Sequence, residues 1–92
     1  MRRITERDLQ GLCDRLNELT SSPTQQWIDG SSQIGNYHIS SAYGGHALYR
    51  MHNTAGGVQD ILNSGYRTKR ELYEQIHAYI RGIESAQNRG DL

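Results

Sequence analysis

The chain contains no phenylalanine, one tryptophan, one proline and one cysteine. Without phenylalanine, a core has to be assembled from leucine, isoleucine and part of six tyrosines, whose hydroxyls need a partner or water. Some tyrosines are therefore expected at the rim of the core, or on a surface that a partner covers. A single cysteine excludes an internal disulfide. Cys13 lies at a helical position among leucines and reads as a small hydrophobe, not a reactive thiol. An excess of charge of either sign is missing too. Ten basic residues balance ten acidic ones, so attraction to nucleic acid has to come from a local patch. No apolar run reaches the length of a membrane span. Met1-Arg2-Arg3 leads into polar sequence and not into the apolar stretch of a signal peptide, which makes the cytoplasm the expected location.

What remains is 92 residues, the size of one domain, with residues 1–3 and 87–92 expected to fray. Thr5 opens the first helix, with Asp8 at the capping-box position and Ile4 and Leu9 placed as a hydrophobic staple. Leu9, Leu12, Cys13, Leu16 and Leu19 recur at helical spacing and form one stripe. Thr20-Ser21-Ser22-Pro23 stops that helix, because proline biases the residue before it away from helical geometry. Thr68 caps a second helix, with Glu71 completing another capping box. Leu72, Tyr73, Ile76, Tyr79, Ile80 and Ile83 form its stripe, and the helix is expected to run to about Ala86.

Between the helices the pattern is that of strands: a short one over 25–28, then 34–43, 46–52 and 58–62. Gly44-Gly45 reads as a two-residue hairpin turn and Asn53-Thr54-Ala55-Gly56-Gly57 as a second turn. The expected fold class is α+β: three to four antiparallel strands in one sheet, with both helices on one face. A Gly44-Gly45 turn would pair Tyr43 with His46, Ser41 with Leu48, Ile39 with Arg50 and Tyr37 with His52. The Ile39/Leu48 face is the expected core, with Arg50 and His52 awkwardly on it. The opposite face then presents His38, Tyr49 and Met51 outward.

Catalytic patterns are not prominent. The four histidines show neither His-x-His nor i,i+4 spacing, and no second thiolate exists to complete a zinc site, so no metal or cofactor is expected. Ser40 and Ser41 near His38 and His46 amount to chance neighbours unless an orienting acid joins them. The glycine doublets fit neither the Walker pattern nor the dinucleotide fingerprint. A non-enzymatic protein is the expectation. The informative spot is the start of the last helix, where Arg67, Lys69 and Arg70 crowd an end that already carries partial positive charge. A bound anion would relieve that conflict, and Tyr66 beside it could stack. Arg2, Arg3 and Arg7 would extend the patch if the two helix starts lie close.

The order helix, three strands, helix, with basic residues opening the second helix, is similar in topology to a double-stranded-RNA-binding domain. That resemblance implies phosphate contacts for Lys69 and Arg70. A second resemblance rests on sequence: Asn36-Tyr37-His38-Ile39-Ser40-Ser41-Ala42-Tyr43-Gly44-Gly45, then Gly56-Gly57, Lys69-Arg70-Glu71-Leu72 and Ile80-Arg81-Gly82-Ile83. These segments resemble a group of small accessory proteins of tailed phages and prophages. The resemblance implies a protein that binds and inhibits a host protein or ribonucleoprotein, with an anti-CRISPR role as its most specific form. The contacts expected for such a partner are Arg67, Lys69 and Arg70 for anionic groups, with Tyr66, Tyr49, Met51 and His38 around them. An RNA- or DNA-binding module using the same basic patch is the alternative, and a homodimer packed through the open sheet face is a further one.

Overall fold

Two capping boxes fix where the helices begin in the computed structural model, which describes residues 2–88. At the first, Thr5 Oγ1 accepts from the Asp8 amide at 3.2 Å while Asp8 Oδ2 accepts from the Thr5 amide at 2.8 Å. Helix α1 follows over Glu6–Leu19. At the second, Thr68 Oγ1 accepts from the Glu71 amide at 3.1 Å and Glu71 returns the bond to the Thr68 amide at 3.2 Å. Helix α2 follows over Lys69–Asn88. Each box satisfies backbone donors that a helix start otherwise leaves open. Gln87 and Asn88, expected to fray, belong to α2, and Gln87 Nε2 donates to Leu19 O at 3.0 Å. The expected fraying over 89–92 lies outside the described residues.

The two helices run parallel. The Arg70 guanidinium bonds the Arg2 carbonyl near both starts, Arg15 pairs with Glu84 further along, and Gln87 reaches Leu19 at both ends. Their stripes bury Leu9, Leu12, Cys13 and Leu16 against Leu72, Ile76 and Ile80, with Tyr37 and Leu48 supplied by the sheet. Fully burying such an aliphatic side chain stabilises by roughly 1.5–3 kcal/mol. That burial turns two marginal amphipathic segments into a fixed pair.

The strands are β1 (Trp27–Ile28), β2 (Ser31–Ser32), β3 (Tyr37–Ala42), β4 (Gly45–Met51) and β5 (Val58–Asp60). β3, β4 and β5 form one antiparallel sheet in that order, and both helices pack on one of its faces. β1 and β2 form a separate ladder turning at Asp29 and Gly30. It is tied to the β4–β5 turn by the Ser32 hydroxyl on Asn53 O, with the Trp27 ring against Gly56. The short strand expected over 25–28 thus shrinks to two residues outside the main sheet. No helix is long and apolar enough to cross a membrane among the described residues.

The register differs from the expected one by two residues. Ser41 faces His46, Ile39 faces Leu48 and Tyr37 faces Arg50. The turn is centred on Tyr43 and Gly44, both left-handed with φ of 53° and 74°, and Gly45 is already the first residue of β4. Gly45 is needed for space: a Cβ there would come within 2.9 Å of Tyr66 Cβ. A slip of two preserves which side chains share a face, so the Ile39/Leu48 face is still the one the helices cover. Arg50 resolves its awkward position by lying over the Tyr37 ring, 4.8 Å from its centroid, at the edge of the core.

Candidate functional site

The hairpin tip, Tyr66 and the starts of both helices gather at one end of the molecule. Tyr66 arrives there because Arg67 pairs with His46 beyond the end of β5, each amide donating to the other's carbonyl at 2.8 Å. That pairing lays the Tyr66 side chain on the sheet face away from the helices. Its hydroxyl meets Ser40 Oγ at 3.2 Å and the Tyr49 hydroxyl at 3.0 Å. Hydrogen bonds from Ser40 and Tyr49 lower the Tyr66 pKa, while Tyr49, bonded to Tyr66, is raised.

Four rings follow one another across this face. The His38 and Tyr49 centroids are 6.2 Å apart, Tyr49 and Tyr66 6.2 Å, and Tyr66 and Tyr43 5.7 Å. The inner rings are half-buried, and burial lowers the His38 pKa from its ordinary value, keeping the imidazole neutral. Tyr43, at the outer end, is 96% exposed. A tyrosine in left-handed backbone geometry is strained by roughly 1–2 kcal/mol relative to glycine. With so little of its ring covered, packing offsets almost none of that.

The basic residues lie alongside. Arg67 Nε donates to Ser64 O at 3.0 Å and its guanidinium is 3.9 Å from Glu71. Arg70 bonds the Arg2 carbonyl, and Arg2 pairs with Asp8 at 2.9 Å. The two helix starts are therefore neighbours, the condition under which Arg2, Arg3 and Arg7 join Arg67, Lys69 and Arg70. Two parallel helix dipoles add their positive ends to the same region. The capping box occupies the amides of Thr68 and Glu71, which leaves those of Lys69 and Arg70 as the open N–H groups at this helix start. A hydrogen bond from Thr68, ahead of the charge on Arg67, lowers the Glu71 pKa. Along the outer side of α2 the pattern continues with Tyr73 against His77, centroids 4.6 Å apart, between Arg70 and Arg81.

Of the residues singled out from sequence, Arg67, Lys69, Arg70, Tyr66, Tyr49 and His38 belong to this end or to the face leading to it. Met51 does not act as an outward anchor: it is on the predicted face but only 2% exposed. Tyr43 was missed. The signal for it was present, a tyrosine beside a turn glycine where asparagine or glycine is usual.

Other chemistry is sparse. Ser41 Oγ lies 2.8 Å from His46 Nδ1, yet no acid is bonded to His46 among the described residues to orient the ring. Burial pushes the Cys13 thiol up to about 12, far from the range of a nucleophile. Among the described residues no group of three histidine, cysteine or acidic side chains could hold a metal ion. No family model, no curated protein and no solved structure matches this chain.

Proposed function

We propose that this chain works by stoichiometric binding to a macromolecular partner through the end formed by the β3–β4 hairpin, Tyr66 and the two helix starts. The observation that carries the reading is Tyr43, strained in its backbone and almost wholly exposed. Strain held at an exposed side chain points to use outside the fold. Tyrosine and arginine are the residues that most often anchor interfaces, and here Tyr43 and Tyr66 stand beside Arg67, Lys69 and Arg70. A host protein or ribonucleoprotein is the partner class that such a mixed aromatic and cationic surface suits. Inhibition of that partner by a phage-encoded protein, in its most specific form an anti-CRISPR, is the biological version of this proposal.

The second reading is a small RNA- or DNA-binding module, and the juxtaposition of Arg70 with Arg2 favours it by concentrating cations from both helices. It requires affinity for naked nucleic acid that falls steeply with salt. A gel shift with none at low salt removes it.

The test of the leading reading is capture from bacterial host lysate, comparing the unaltered chain with the double variant Lys69→Glu/Arg70→Glu. A specific partner retained by the first and lost by the second supports the proposal. No reproducible partner, or equal retention by both, overturns it.

A further inference from the structure

At the opposite end of the sheet from Tyr43, a cleft of about 430 Å³ opens between the C-terminal turns of α1 and α2. Arg50, Tyr37 and Tyr79 line it together with the neutral polar residues Thr20, Ser21 and Gln87, and Leu19 and Ile83 supply its apolar surface. Its size is in the range of small-molecule sites, and its one charged side chain, Arg50, is a cation.

Arg50 is half-buried on the helix side of the sheet, where a cation is costly unless paired. Its Nε donates to Gly35 O at 3.2 Å, and its guanidinium lies over the Tyr37 ring. Among the described residues it forms no ion pair, and its terminal nitrogens have no acceptor. The Tyr37 and Tyr79 hydroxyls are 3.1 Å apart. One of the two protons fills that bond and the other is left to donate elsewhere. Burial, ahead of the bond to Tyr79, pushes the Tyr37 hydroxyl up to about 12, so Tyr37 keeps its proton at neutral pH. The cleft thus offers a guanidinium fork and a phenol O–H side by side, with no carboxylate in its lining. Their complement is an acceptor-only group with a flat pair of oxygens.

We propose that this cleft binds a small organic carboxylate, its oxygens on Arg50 and the Tyr37–Tyr79 hydroxyl pair and its carbon body against Leu19 and Ile83.

The test is an NMR titration of the full chain with phenylacetate, and with phenylacetamide as the neutral isostere. The proposal predicts saturable shifts at Leu19, Tyr79 and Ile83 with phenylacetate, and affinity weaker by about ten-fold or more for the amide, which lacks the charge. Arg50→Met, with an unchanged circular dichroism spectrum, should lose binding by at least the same factor. Tyr79→Phe removes one hydroxyl and should weaken it a few-fold, which keeps the test informative if Arg50→Met does not fold. The proposal is overturned by any of three results: no saturable shift up to about 10 mM phenylacetate, equal affinity for the amide, or unchanged affinity in folded Arg50→Met or in Tyr79→Phe.

Discussion

Asn17, in the last turn of α1, holds both backbone groups of Tyr37 at the start of β3: its Nδ2 donates to Tyr37 O at 3.0 Å and its Oδ1 accepts from the Tyr37 amide at 2.7 Å. One side-chain amide thus stands in for the neighbouring strand that the sheet edge lacks, and ties the first helix to the sheet. At 1% exposed, Asn17 leaves water no route to replace it. Asn17→Leu, nearly equal in size, would strand a buried N–H and a buried carbonyl. The expected cost is about 2–4 kcal/mol, read as a fall in Tm of roughly 10 °C or more. A variant as stable as the original would contradict this role.

Gly45 and Gly82 make a paired test of why glycine stands at each place. At Gly45 an added Cβ meets the Tyr66 Cβ at 2.9 Å and its carbonyl carbon at 3.1 Å, so the chain itself has to move. Gly45→Ala should cost about 1–3 kcal/mol and strip hydrogen-exchange protection from the Arg67 amide, which bonds His46. Gly82 is inside α2 with nothing within 4 Å of an added Cβ. Gly82→Ala should stabilise by about 0.5–1 kcal/mol through helix propensity alone. Denaturant unfolding of the two variants should therefore move in opposite directions.

Acid should weaken the fold through the first capping box. The Thr5 amide, and after it the Arg2 guanidinium, holds the Asp8 carboxyl down at about 2, from an ordinary 3.8. Between those values the unfolded chain binds a proton that the folded chain does not, so stability rises with pH in that window. The contribution is present above the ordinary pKa and is lost as pH falls through the folded one. Glu71 at the second box is lowered in the same direction. Tm should drop as pH is taken from about 4.5 to 2, and Asp8→Asn should flatten part of that drop. An equally steep profile in the variant would assign the acid sensitivity elsewhere.

How much of this was legible in the sequence depended on whether the cause was local. Both helix starts were, because a capping box lies within four residues, and so were the stripes that place both helices on one face. The sheet face was legible through its period of two, even though the register was off by two. That slip has a tertiary cause: Gly45 looked like a turn residue, but its smallness serves the close passage of Tyr66, far along the chain. Met51 was misread because a residue on the outer face of a sheet can still be covered, here to 2% exposure. Arg50 was readable in part as a cation on a core face, whereas Asn17 was not singled out. What each touches, Tyr37 in both cases, needed the fold.

The proposed binding rests most directly on Tyr43, and Tyr43→Asn measures it in two ways on one preparation. Asparagine tolerates left-handed geometry and, followed by Gly44, makes the preferred turn for such a hairpin. The loss of an exposed ring costs the fold little, so the variant should be more stable by about 1 kcal/mol, a rise in Tm of roughly 4–8 °C. The same variant should retain markedly less of the captured partner. A protein that gains stability and loses binding is the predicted result. One that keeps its partner undiminished would contradict the claim that this residue is strained for the sake of contact.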